Sequence, residues 1–160
     1  MKLTLLGTGC PSIDYKRCGA SNLVSTKKTK ILIDCGSGVT QRLNQSKNSS
    51  ADIDALLLTH LHTDHVIDLY QLIISSWHSD RTSQWKIYGP RGTKKFCENL
   101  FVGGAFDQDI KARSQLGRRQ ENFFAVEPEV TEYEPGEIYK DDLITVTAVQ
   151  VYHVDSEIMP

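Results

Sequence analysis

With 160 residues, 39% of them hydrophobic and 24% charged, the chain has the make-up of one globular domain with a real core, and neither disorder nor a coiled coil fits it. A formal net charge of −2 gives no overall basic field, which argues against nucleic-acid binding by charge alone. The opening "MKLTLLGTGC" ends its apolar run at Gly7, too early for a signal-peptide core or a membrane span, so the cytoplasm is the expected location.

In chain order, Lys2 to Leu6, "SNLVST" and Lys30 to Asp34 read as three short strands, with "GTG" after the first and "CGSG" closing the third. "VTQRLNQ" predicts a short helix, and residues 46–52 an exposed polar loop. Ala55 to Thr59 is predicted as a buried strand because Leu56, Leu57 and Leu58 run without alternation. A dense group follows at once: His60, His62, Asp64 and His65. Beyond it, Ile67, Tyr70, Ile74 and Trp77 keep the spacing of one helix face, widened by Leu69 and Ile73. "WKIYGP" repeats the strand pattern and "TKKFCENLF" the helix pattern, with Thr93 near the cap, which is the alternation of an α/β fold. Residues 103–122 include the basic "KARSQLGRRQEN", read as helix or loop. "FFAVEPEVTEYEPGEIY" suggests irregular strands broken at Pro128 and Pro135. "LITVTAVQVYHV" reads as a long β-type run, apolar at Ile144, Val146 and Ala148 and closed by His153. Cys10, Cys18, Cys35 and Cys97 form no CxxC pair and read as free thiols.

The histidine group points to metal chemistry. Residues two apart on an extended chain face the same way, so His60 and His62 can offer two nitrogens to one ion. Asp64 and His65 then offer a carboxylate and an imidazole to a second, and ions about 3.5 to 4 Å apart activate water for attack on phosphoryl or acyl centres. A merely His-rich surface turn explains four such positions, between a buried strand and an amphipathic helix, poorly. Elsewhere His78 fits no ligand position and reads as surface, and Asp68 as a solvated helix residue in preference to a partner of the site. Lys111, Arg113, Arg118 and Arg119 could touch a phosphodiester backbone, but no aromatic residues interleave with them and a solvated helix face is the better reading.

"THLHTDH" resembles the HxHxDH signature of the metallo-β-lactamase fold superfamily, and "LLGTG" and "LIDCGSG" are similar to that family's opening strands. "LGTGCP", "DCGSGVTQRL", "HLHTDHVIDL" and "IYGPRGTKKF", over the first two-thirds of the chain, most resemble the ribonuclease Z branch. The resemblance implies an α/β fold of the αββα-sandwich type, of which residues 1–160 supply the first half and a little more as a single incomplete domain. It implies two divalent metal ions, zinc first, with manganese and iron suited to the same ligands. His60, His62 and His153 would hold the first ion, Asp64 and His65 the second, and Asp34 would orient a ligand histidine from behind. Without the histidine cluster His153 would read as a lone sheet histidine, and for Asp34 an Asp-Cys-Gly turn that merely ends a strand stands level with the site role. Asp64 would also position the nucleophile, while a bridging aspartate and a further histidine would come from the second half.

The activity implied is metal-dependent hydrolysis of a phosphodiester, in the manner of a ribonuclease Z acting on precursor tRNA. Alternatives are a small-molecule phosphodiesterase such as one acting on cyclic nucleotides, an arylsulfatase-like or lactonase-like ester hydrolase, or a non-catalytic metal-binding half-domain. These residues alone are expected to be inactive. Their apolar sheet face would be covered in a homo-oligomer or by a missing C-terminal half, and no membrane partner is expected.

Overall fold

Short Leu-, Ile- and Val-rich segments pair here into one six-stranded sheet, and the computed structural model describes residues 1–153, with only the backbone at Arg118. The side chain of Arg118 and Val154, the end of the β-type run, lie outside the described residues. The strands β1 (Lys2–Gly7), β2 (Ser21–Ser25) and β3 (Lys30–Ile33) form an antiparallel meander. From β3 the chain continues in parallel through β4 (Ala55–Leu57), β5 (Lys86–Gly89) and β6 (Glu129–Glu132), in the order β1 to β6.

Parallel neighbours need crossovers, and helices supply them. α1 (Val39–Gln45) joins β3 to β4; α2 (Thr63–Val66) and α3 (Leu69–His78) join β4 to β5; α4 (Thr93–Leu100) and α5 (Asp107–Ser114) precede β6. The main core forms where Leu23, Leu32, Leu56 and Ile87 of the sheet meet Val39, Leu43, Leu69, Leu72, Ile73 and Trp77 of the helices. The opposite face carries Ile31 and Leu57 and is covered by the hairpin of β7 (Gly136–Lys140) and β8 (Thr145–Ala148), through Ile138, Ile144 and Val146. That double coverage explains the unbroken Leu56–Leu57 pair: one side chain enters each layer. The cover is partial, for Leu3 and Leu5 on β1 are 62% and 64% exposed. Among the described residues no helix is long and apolar enough to cross a membrane.

Several sequence expectations need correction, among them the irregular strand at Phe123–Val126, which is a 3-10 helix, and the exposed loop over 46–52, in which Ser50 is buried. The strand predicted over 55–59 stops at Leu57, so that Leu58 and Thr59 are free to turn toward the site. Ile67 is exposed between α2 and α3 instead of joining the apolar face, whose buried residues are Leu69, Leu72, Ile73, Ile74 and Trp77. Among the described residues the β-type run predicted from Leu143 onward pairs only over Thr145–Ala148; Val149, Val151 and Tyr152 are exposed and outside any strand, and His153 closes a loop. Asp68 is no solvated residue: its Oδ2 accepts the Thr40 backbone N–H and hydroxyl, both at 2.7 Å, tying α1 to the start of α3.

Leu32 is fully buried in the main core, so Leu32→Ala is expected to destabilise the chain by about 2–5 kcal/mol. Leu3→Ala, on the uncovered face, is expected to change stability by less than about 0.5 kcal/mol; urea denaturation of the two variants checks both values.

Candidate metal centre

Where parallel strands end side by side, the loops that follow them meet, which is the usual ligand-binding edge of such a sheet. Here β3 and β4 pair with Ile33 opposite Leu57, so Asp34 emerges beside Leu58 and Thr59, just ahead of the histidine loop. Asp34 has φ 61°, left-handed backbone that a non-glycine residue adopts at a cost. Its backbone N–H donates to the Leu57 carbonyl at 2.8 Å, and its own carbonyl accepts the Ser21 hydroxyl at 2.8 Å. The next residue continues the tie: Cys35 N–H donates to the His65 carbonyl at 2.6 Å, and its carbonyl accepts the Asp68 N–H at 3.1 Å. Gly36 has to lack a side chain, because a Cβ there would collide with the Asp64 carbonyl oxygen.

The Asp34 carboxylate is buried and serves two histidines. Oδ1 accepts the Thr59 backbone N–H at 2.8 Å, and both oxygens lie within 3.0 Å of the Thr59 hydroxyl. Oδ2 accepts from His65 Nδ1 at 2.8 Å. With its proton given to Asp34, the Thr59 oxygen accepts from His60 Nδ1 at 3.0 Å. One carboxylate therefore holds a proton on Nδ1 of His65 directly and of His60 through Thr59. In both neutral rings the Nε2 lone pair is left free.

The His60 lone pair points into the cluster. His60 Nε2 lies 3.1 Å from His62 Nδ1, and His153 Nε2 lies 3.3 Å from the same His62 atom. The ligand atoms of His60, His62 and His153 all fall within 4.8 Å of one another. Two imidazole nitrogens bound tetrahedrally to zinc at 2.0–2.1 Å stand about 3.3 Å apart, so the spacing suits one ion. Three nitrogens converging on one point repel unless a proton or a cation lies between them, and the donor set thus fits a metal. Beside it, the His60 and His65 ring centroids are 4.1 Å apart, and His65 Nε2 lies 3.5 Å from Asp64 Oδ2.

The histidines titrate apart. Burial, with the neighbouring His65 and His62, pushes His60 down to about 4 and keeps it neutral near pH 7. The hydrogen bond to Asp34 raises His65 above its ordinary value. Cys35, buried against Asp68 and Asp34, is held as a thiol by a pKa raised well above normal.

The structure thus brings His60, His62 and His153 together, sets Asp64 and His65 beside them, and puts Asp34 in contact with His65 and, through Thr59, with His60. His78 stands at the far end of α3, outside the cluster. Thr59 was missed in the sequence, although a hydroxyl residue ending the Leu56–Leu58 run was the available signal. Tyr133 was missed as well: its hydroxyl donates to the Leu58 carbonyl at 2.7 Å, and burial with the Asp34 charge pushes its pKa up to about 12.

A family described as "Anti-Pycsar protein Apyc1" matches residues 1–159. Ribonuclease Z of Mycobacterium sp. (strain KMS) is 36% identical over 155 residues, covering 96% of this chain and 53% of that protein. The crystal structure of human tRNase Z, short form, matches with a TM-score of 0.54 and 31% identity over 60% of this chain and 36% of that one. A diphosphatase of the PhnP family matches with a TM-score of 0.68 over 98% of this chain and 60% of that one; at 20% identity it speaks for the fold alone. The chain spans about half the length of the curated relatives it matches.

The folded pKa of His60, about 4, lies below the 6.5 of a free imidazole. As pH falls from about 7 toward 4 the unfolded chain takes up this proton and the folded chain does not, so acidification destabilises the metal-free protein across that window. His65 acts with the opposite sign: its share is full below pH 6.5 and is lost as pH rises through its raised folded value. His60→Gln is expected to flatten the acid limb of Tm against pH in chelator; a limb as steep as wild type contradicts this.

Proposed function

The chain belongs to the anti-Pycsar Apyc1 family and to the ribonuclease Z-like part of the metallo-β-lactamase fold superfamily, and from that premise we propose that it works as a metal-dependent phosphodiester hydrolase. The observation that carries this reading is the convergence of three histidine nitrogens, one of them, on His60, set free by a proton held on the opposite ring atom. His60, His62 and His153 would hold the first ion, and Asp64 and His65 the second, with zinc as the metal of first choice. Ions held there would supply Lewis-acid stabilisation of charge developing on phosphoryl oxygens and a lowered pKa for the attacking water. Asp64, half-buried beside His65, would orient that water, while Asp34 and Thr59 keep the imidazoles in their working tautomers.

The 36% identity to a ribonuclease Z makes precursor tRNA the first substrate to test and the cytoplasm the compartment that goes with it. A second reading, a phosphodiester as small as a cyclic nucleotide, is favoured by the net charge of −2, which gives no basic field for a long polyanion. Under either reading the sheet face bearing Leu3 and Leu5 would receive a further apolar layer, from additional chain or a second copy. Hydrolysis of precursor tRNA with no turnover of a cyclic nucleotide supports the first reading, and the reverse supports the second. Inactivity on both and on a chromogenic phosphodiester, with metal bound, would sink the hydrolase reading.

Metal content by elemental analysis is expected to fall by about one ion per chain in His62→Ala and to stay unchanged in His78→Ala. Thr59→Val is expected to weaken metal binding by about 10- to 100-fold, because it cuts His60 off from Asp34. Equal losses in His62→Ala and His78→Ala would overturn the ligand assignment.

A further inference from the structure

At the end of α3, away from the histidine cluster, His78 meets two guanidinium groups. Arg113 of α5 brings Nη1 to 3.2 Å from His78 Nε2. Arg119, in the turn Gly117–Arg119, brings Nη2 to 2.8 Å from His78 Nδ1. Guanidinium nitrogens only donate, and a neutral imidazole has a single acceptor nitrogen. Whichever ring nitrogen carries the proton, one of the two contacts sets N–H against N–H, and a protonated ring makes both contacts repulsive.

The surrounding charges leave the conflict unresolved. Asp107 is taken by Lys111 at 2.6 Å. Asp109 takes Arg113 Nε at 2.7 Å and also accepts the Tyr70 hydroxyl. Arg119 has no carboxylate partner among the described residues, and its Nε is buried with no hydrogen-bond partner, the one such side-chain atom among them. Burial and the two arginines also depress the His78 pKa. The site is braced: Trp77 Nε1 donates to the Arg119 carbonyl at 3.3 Å and fixes the turn against α3.

We propose that His78, Arg113 and Arg119 form an anion site that takes a phosphate group. An oxyanion with several acceptor oxygens can accept the ring N–H of His78 together with one N–H from each guanidinium, so that no pair of donors remains opposed. A buried donor with no partner, and two arginines of which only Arg113 holds a carboxylate, are the donor excess that an anion would satisfy. α3 has ten residues and is about 15 Å long, and His78 lies at its end away from the histidine loop that precedes it. It is distinct from that cluster and does not depend on the hydrolase reading. The phosphate could be a free ion or monoester, or one of the phosphodiesters of a nucleic-acid strand lying along α3.

The test is calorimetric titration of the full chain with inorganic phosphate in chelator at constant ionic strength, beside Arg119→Gln, His78→Ala and Lys28→Gln, a lysine of the β2–β3 loop. Saturable binding is expected in wild type and in Lys28→Gln, weakened at least about tenfold in Arg119→Gln and several-fold in His78→Ala. His78 is exposed at a helix end, so its removal leaves the fold intact and keeps the test valid if Arg119→Gln fails to fold. No saturable phosphate binding, or equal affinity in wild type and His78→Ala, would overturn the proposal. A short single-stranded RNA then separates the sources. Binding that is competed by phosphate and weakened by the same variants assigns the site to a nucleic-acid backbone; RNA binding indifferent to both assigns it to free phosphate or a monoester.

Discussion

The carboxylate of Asp34 is the constraint on which the centre depends. A buried charge is costly unless hydrogen bonds replace its water, and Asp34 takes them from the Thr59 N–H, the Thr59 hydroxyl and His65 Nδ1. Each of those bonds also fixes something the site needs: the turn after β4, the ring of His60 by way of Thr59, and the ring of His65. The left-handed backbone at Asp34 is the conformational cost of aiming the carboxylate there, and the bonds made by its own N–H and carbonyl hold it. The remaining ties, from Cys35 to His65 and from Cys35 to Asp68, seat the loop after β3 on the loop after β4. Geometry around the histidines is thus set by backbone pairing two strands wide.

The two parallel strands behind this arrangement are stabilised by burial on both faces. Leu32 and Leu56 sit under the helices, Ile31 and Leu57 under the β7–β8 hairpin, and the in-register pair Ile33 and Leu57 places Asp34 at the height of Thr59. The hairpin is itself pinned from the sheet, since Thr29 donates to Asp141 at 2.7 Å and Asp141 accepts the N–H groups of Leu143 and Ile144. Packing, pairing and the site are links of one chain of causes: apolar pattern, parallel register, carboxylate position, imidazole tautomer.

Much of this was legible in the sequence because it is local. Strand and helix alternation followed from apolar spacing, and the crowding of His60, His62, Asp64 and His65 marked where the histidine cluster forms. What escaped depends on contacts distant in sequence. Nothing near Thr59 says that its hydroxyl will meet Asp34, 25 residues earlier. The alternation after Leu143 has the pattern of a long strand, but a strand needs a neighbour, and among the described residues none pairs with it past Ala148. Arg81 is a similar case: it is almost fully buried, donates to the carbonyls of Ala51, Ile53 and Ser83, and lies 4.0 Å over the Trp85 ring, a role no local pattern betrays.

The central claim, that Asp34 sets the protonation geometry of the histidines, is tested most directly by long-range nitrogen–proton NMR correlation of the imidazoles in metal-free protein at mildly alkaline pH. The account predicts His60 and His65 as Nδ1–H tautomers in wild type, with that preference lost in Asp34→Ala. Finding both rings as Nε2–H in wild type, or the same tautomers with and without the Asp34 carboxylate, would contradict it.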